Sequence, residues 1–453
     1  MSDSTTAEAL LERVLDTARR YGATSADALF VESRSTEVRV RLGETEQVKQ
    51  SAAKGVGLRV LVGDRTATTS SSDLRPEALD LLIEQTCAAA HLTATDPMAG
   101  LPDPSLYDEP RGDASLELYD SAVDELTVED ALEMAVETED IARQADPRIT
   151  NSEGAEMGWG SRKLHLATST GFTRTRRGSS ATLWTTPIAE TGEGMERDYW
   201  YTSARHLADL QDSRAVGEEA ARRTLRRLGA RKPQTCRVPV VFESPVASRI
   251  LGALSGAING GSVYRDATYL GGKLGEQITA PSIQITDDPH IVRGPASKSF
   301  DGEGLSTRKT EIVRDGVLQT YLLDSYTARK LGMETTRHAS RGLGGTPSPS
   351  STNFWMSAGE QTLDELIAGI DHGLLVTELF GVGVNTITGD YSQGAVGLWI
   401  EDGELTYAVS EFTIASTLPA IWQGIEAIGS DLDTRRSTSA PSFRVKEMTV
   451  AGA

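Results

Sequence analysis

A repeated order of segments constrains this fold more than any single motif. Residues 7–21 (AEALLERVLDTARRY) place Leu10, Leu11, Val14, Leu15 and Ala18 at helical spacing. Strand-like runs follow: Ala26–Val31 reads apolar, Thr36–Leu42 alternates strictly, and Thr45–Ser51, Gly55–Val62 and Thr66–Ser70 continue the series, with a turn at Gly63-Asp64. A second helix is predicted over about Pro76–Ala90. The same order then recurs: a helix at Thr127–Gln144, strands around Ile149–Met157, Lys163–Thr168, Phe172–Arg177, Ser180–Thr186 and Tyr199–Ala204, and a helix at Ser213–Leu228. Residue identity between the halves is poor, but the shared order suggests an old duplication.

Two breaks punctuate the chain. Residues 93–114 (TATDPMAGLPDPSLYDEPRGDA) are rich in Pro, Asp and Gly and read as a linker, and Gly229-Ala230-Arg231-Lys232-Pro233 marks a second boundary. The remainder is rich in Gly and short strands: Val238–Phe242, Ser282–Thr286, Glu311–Val313, Val317–Leu323, Leu374–Phe380, Ala395–Glu401 and Leu405–Ile414. Asp315-Gly316 and Asp402-Gly403 each separate two such runs, a strong hairpin signal. Helices are expected at Pro245–Ile258 and Ser325–Leu331. The expected class is α+β: N-terminal α/β units built of antiparallel meanders and helices, then a mostly antiparallel C-terminal β domain with a few helices. The expected organisation is an N-terminal α+β domain over 1–92, a linker over 93–114, a central α+β domain over 115–230, and a β-rich domain over 231–453.

Charge and composition remove several function classes. The net charge of −20 repels nucleic acid and anionic membranes, which require clustered Lys and Arg. No apolar run reaches the roughly 18 residues of a transmembrane helix. The polar start Met1-Ser2-Asp3-Ser4-Thr5-Thr6 does not resemble a secretory signal, so the expected location is the cytoplasm. With only Cys87 and Cys236, a disulfide framework and a Cys-rich zinc site are both excluded.

The six histidines, His91, His165, His206, His290, His338 and His372, are scattered, and no two lie within five residues of each other. A helical pair of metal-binding imidazoles is therefore impossible. His290, beside Asp287-Asp288, is the one weak metal candidate, although Asp-Asp-Pro-His also reads as a turn. No nucleophile-elbow Ser, phosphate loop or dinucleotide fingerprint is present in its required strand-and-helix context.

Several stretches together carry a resemblance: GVGLRVLVGDRTATTSSSDL (55–74), VVFESPVASRILGAL (240–254), YRDATYLGGKLGEQI (264–278), DDPH (287–290), SFDGEG (299–304), DGVLQTYLLDSYTARKLG (315–332), GVGVNTITGDYSQGAVGLWIEDGE (381–404) and VSEFTIAST (409–417). They resemble the TldD/PmbA (modulator of DNA gyrase) family over essentially the whole chain, in its TldE/PmbA type. In the TldD branch, the resemblance implies a zinc metallopeptidase whose helix carries His-Glu-x-x-x-His. One turn of helix brings two imidazoles to one zinc, and the Glu activates the bound water. Aligned on VVFESP, the corresponding positions here fall at Gly252, Ala253 and Ala257, none of which can bind metal. Ser244 is expected to cap this helix, with Pro245 in its first turn.

The resemblance thus implies a non-catalytic subunit of a TldD/TldE-type heteromeric zinc metallopeptidase that processes or degrades unfolded peptides in the cytosol. No cofactor is expected in this chain, and zinc is expected in its TldD-type partner. The alternatives are a metal-independent homodimer that binds peptides, and a peptidase with an atypical site. Candidates for the groove against substrate or partner are Arg265 and Asp266, which follow Gly260-Gly261, and Asn385, Gly389, Asp390 and Ser392. The first pair can equally be a surface ion pair, and the second set a plain Asn/Asp turn between strands. Glu401 and Glu411 read as solvent-facing members of strands.

Overall fold

The computed structural model describes residues 2–108, 113–192 and 194–452, so residues 109–112 of the predicted linker lie outside the described part. Helix α1 (Ser2–Arg20) leads into three antiparallel strands, β1 (Ser25–Arg41), β2 (Glu44–Val62) and β3 (Arg65–Ser71), and then α2 (Pro76–Leu92). After the short α3 (Ser121–Glu125) and α4 (Val128–Gln144) come β4 (Ile149–Thr168), β5 (Thr173–Thr191), β6 (Gly194–Arg197) and β7 (Trp200–Ala204), then α5 (Ser213–Leu225). Thr127 and Asp212 cap α4 and α5 by accepting from the main-chain N–H three residues on.

Runs that the sequence reads as separate strands are continuous. Ala26–Val31 and Thr36–Leu42, apart from Leu42 in the following turn, both belong to the 17-residue β1, and the paired predictions in the central unit merge in the same way into β4 and, apart from Phe172, β5. The polar interruptions that suggested breaks are ladder residues on an open sheet face. β1 pairs antiparallel with β4 from Asp27↔Thr168 to Val40↔Ala155, so the two helix–meander–helix units share one seven-stranded sheet. One face is covered by helices. Ala28, Phe30, Leu58 and Val60 pack with α1 and α2, and Val38, Met157, Ala181 and Leu183 with α4 and α5. The other face meets the C-terminal domain through Leu29, Leu166 and Phe300.

The C-terminal domain begins with β8 (Cys236–Phe242), α6 (Ser244–Ala257) and the short α7 (Gly260–Val263). β9 (Ile285–Asp287), β10 (Thr310–Arg314) and β11 (Val317–Leu318) precede α8 (Ser325–Leu331). β12 (Ala339–Ser340) pairs with β13 (Ser348–Pro349), and β14 (Phe354–Met356) pairs with β9. After α9 (Leu363–Ala368), β15 (His372–Phe380), β16 (Asp390–Glu401) and β17 (Glu404–Thr417) form a meander. α10 (Leu418–Gln423), β18 (Ile425–Ile428), β19 (Thr438–Ser439) and β20 (Phe443–Ala451) complete the chain. The order β17-β16-β15-β8-β20, with a further β17–β20 pairing, closes five strands into a ring. Both predicted Asp-Gly hairpins form. Asp315 and Gly316 (φ 51° and 80°) and Asp402 and Gly403 (φ 49° and 80°) all take the positive φ that primed turns need.

The stretch after α2 is strapped to the C-terminal domain rather than hanging free. Asp96 pairs with Lys330 at 2.9 Å, Arg329 donates to the Gly100 carbonyl at 3.0 Å, and Arg337 donates to Asp108 at 2.7 Å. Among the described residues no helix is long and apolar enough to cross a membrane.

Candidate functional site

Helix α6 lies where the sequence places it, with Val246, Ile250, Leu251 and Leu254 buried in the core of the C-terminal domain. Its start differs from the expectation. Ser244 is the first helical residue rather than the cap: its hydroxyl donates to the Ala440 carbonyl at 2.8 Å and its N–H to Ser442 Oγ at 2.9 Å. Glu243 occupies the cap position, but its buried carboxylate pairs with Arg226 (2.9 Å) and Arg223 (3.2 Å) of the central unit. Two buried cations are a stronger attraction for a carboxylate than the helix's own N–H groups, so the side chain turns to them.

The three positions aligned with metal ligands hold no donor atoms. Gly252 is partly exposed, and a Cβ added there meets nothing within 4 Å. Ala253 packs at the edge of the core, and Ala257 is fully buried. This helix therefore does not fit zinc. Among the described residues no three His, Cys, Asp or Glu side chains are gathered as a metal site. The His290 N–H donates to Asp288 Oδ1 at 2.9 Å, closing the Asp-Asp-Pro-His turn, and its ring lies 3.1 Å from Thr307 Oγ1. Asp288 itself pairs with Lys309 at 3.4 Å.

The other candidates fall on two neighbouring loops. Arg265 and Asp266 are exposed, and Asp266 takes φ 53°. Their segment touches the Asn385 turn, because the Tyr269 N–H donates to the Thr386 carbonyl at 3.0 Å. Within that turn Asn385 Oδ1 accepts from the Ile387 N–H at 2.9 Å, and the Gly389 carbonyl accepts from the Leu418 N–H at 2.7 Å. Asp390 accepts from the Thr388 hydroxyl at 2.6 Å, and the Ser392 side chain is exposed on β16.

Sequence reasoning missed the seam between the seven-stranded sheet and the C-terminal domain, where ionisable side chains are concentrated. Asp27 and Arg59 face each other across β1 and β2 and are bonded at 2.9 Å, and Arg341 reaches Asp27 from the C-terminal domain. Burial alone would raise the Asp27 carboxyl, but the charges of Arg341 and Arg59 hold it below the usual range. Glu303, 2% exposed, accepts from the Ser325 N–H at 2.9 Å, and burial with the neighbouring Asp301 pushes it up to about 7. A cavity of about 300 Å³ opens beside Glu303, Asp324 and Arg59. Asp287 accepts from His338 (3.1 Å) and from the Thr352 N–H (2.6 Å), all of them buried. A signal for the seam was present in the sequence. Asp27 and Arg59 each interrupt an apolar strand run, and Asp301 and Glu303 lie in SFDGEG.

A larger cleft of about 640 Å³ lies on the same sheet face, where β1, β4 and β5 run out from under the C-terminal domain. Its floor carries small residues, and six of its lining side chains are cationic against two acidic.

Models described as PmbA/TldA metallopeptidase domain 1, central domain and C-terminal domain match residues 26–90, 122–228 and 235–452. The class is therefore that of a metallopeptidase-family chain. Metalloprotease PmbA of Escherichia coli O157:H7 is 39% identical over 98% of this chain and 96% of its own length. A PmbA homologue of Haemophilus influenzae is 36% identical over 97% of this chain and 94% of its own. Among solved structures, a Bacteroides thetaiotaomicron protein named for modulation of DNA gyrase superposes with TM-score 0.90 at 30% identity, covering 98% of this chain and 99% of that one. TldE from Thermococcus kodakarensis shares the fold at TM-score 0.86 and 22% identity, with 98% and 100% covered. This chain belongs to the PmbA/TldD family.

Proposed function

We propose that this chain is a non-catalytic subunit of a heteromeric zinc metallopeptidase that processes or degrades unfolded peptides in the cytosol. In that assembly a TldD-type paralogue carries the zinc and the His-Glu-x-x-x-His helix. The observation that carries this reading is α6 itself, held in its domain core while Gly252, Ala253 and Ala257 supply no ligand. Exposed apolar side chains beside it support a partner. Phe380 is 47% exposed, Val382 is fully exposed and Ile387 is 58% exposed. Arg249 of α6 bonds the Leu379 carbonyl, which ties the helix to this patch.

The test is peptide cleavage by the purified chain, alone and mixed with the His-Glu-x-x-x-His paralogue from the same genome. Cleavage by the mixture that exceeds that of either chain alone is the expected result. Zinc-dependent cleavage by this chain alone, or a paralogue whose rate is indifferent to it, defeats the reading.

A further inference from the structure

Arg205 and Lys298 both line the large cleft beside the seam, and Arg176 lies close enough to act on the charge of each. The floor is a patch of strand residues with small side chains: Ser33 and Ser35 on β1, Gly158 and Gly160 on β4, and Ser180 and Thr182 on β5. A segment of extended chain can therefore lie close to the sheet.

The Arg205 guanidinium has five N–H donors. Its bonds go only to main-chain carbonyls: Gly294 at 2.8 Å, Pro295 at 2.8 Å and Ser179 at 3.4 Å. Two N–H groups remain, and no described acid pairs with it. The Lys298 ammonium donates to the Ala339 carbonyl at 3.2 Å and makes no direct ion pair among the described residues, although the buried carboxylates of Asp301 and Asp287 act on its charge. Burial and then the charge of Arg176 push Arg205 down to about 10 and Lys298 down to about 8. Burial thus disfavours both charges, with no acid to offset it at Arg205 and a partial offset from Asp301 and Asp287 at Lys298. This arrangement costs stability in the empty protein and is relieved when an anion enters the cleft beside them. It stands out in a chain of net charge −20, whose surface otherwise turns polyanions away.

We propose that this cleft is a carboxylate site, in which Arg205 and Lys298 receive the anionic group of an extended peptide, either its C-terminal carboxylate or an acidic side chain. The identity of the ligand as a peptide rests on the function proposed above, whereas the carboxylate chemistry rests on the two cations.

The test is fluorescence anisotropy on the full chain alone with three labelled unstructured peptides of one neutral sequence. The first has a free C-terminus, the second a C-terminal amide, and the third an amide with one internal Glu. The expected result is binding of the free acid at least about tenfold tighter than the neutral amide. Tight binding of the first peptide only assigns the site to the chain terminus, and equal tight binding of the third assigns it to carboxylates in general. Arg205→Met and Lys298→Met should each remove most of the preference. Equal affinity for all three peptides overturns the proposal, as does a preference that survives both substitutions. Arg205 also ties down the 294–295 segment. If Arg205→Met does not fold, the wild-type peptide comparison and Lys298→Met decide the matter. The cleavage assay is independent: a carboxylate preference without any effect on the paralogue overturns the subunit reading alone, and the reverse overturns only the carboxylate site.

Discussion

Arg341 and Asp27 lie 314 residues apart in the chain, yet they form an ion pair in which neither side chain is more than 2% exposed. The pair crosses from the C-terminal domain to the interior strand β1 of the seven-stranded sheet, and Arg59 completes it from the neighbouring strand. One carboxylate thus bridges two buried guanidiniums at the seam.

Removing that carboxylate leaves two facing buried cations. Asp27→Asn is expected to cost about 3–5 kcal/mol, the usual range for breaking a buried pair. Because the Asp27 carboxyl is held below its ordinary value, its contribution is present above the usual Asp range and is lost as pH falls below it. Urea midpoints of wild type and Asp27→Asn should therefore converge on acidification. A constant gap down to pH 3 contradicts the assignment.

Glu303 titrates in the opposite sense. Its folded value, raised to about 7, means that the native state binds the proton more tightly than the unfolded chain does. Its contribution is complete below the ordinary Glu range and is lost as pH rises through about 7. Glu303→Gln keeps an acceptor for the Ser325 N–H and carries no charge. At pH 8 it should be more stable than wild type by on the order of 1–3 kcal/mol, with little difference at pH 5. Thermal melts at the two pH values check this.

Gly252 and Gly256 sit four residues apart on α6, and an added Cβ meets nothing within 4 Å at either position. In the isolated chain Gly252→Ala should raise stability by about 0.5–1 kcal/mol through helix propensity alone. If this face packs against a paralogue, the same methyl should weaken the complex. Opposite signs in a melting curve and a co-purification assay are the expected signature.

Val382→Ser removes a fully exposed apolar side chain from the patch beside α6. It should leave the melting curve within about 0.5 kcal/mol of wild type, as for most surface changes. Complex formation with the paralogue should weaken measurably, and unchanged affinity would place the interface elsewhere.

Much of the architecture is legible in local pattern. The apolar stripe of α6 and both Asp-Gly hairpins follow from spacing and from the positive φ that a primed turn requires. The absence of ligands on α6 can also be read from the sequence, because Gly and Ala have no donor atoms wherever the helix lies. The start of α6 is less legible. Ser244 has the right chemistry for a cap, but the buried partners of Glu243 come from the C-terminal end of α5 and the residue that caps it, and Ser244 is drawn to the main chain near β20.

The sequence by itself determined the helix and strand periods, the hairpins and the overall acidic charge, since each depends on neighbours a few residues away or on composition. Only the tertiary structure decided that two meanders share one sheet, that Asp27 meets Arg341, and that Arg205 and Lys298 share one cleft. Their partners come from segments tens to hundreds of residues distant, and no local pattern encodes which charges will be left together when two domains close over a common sheet face.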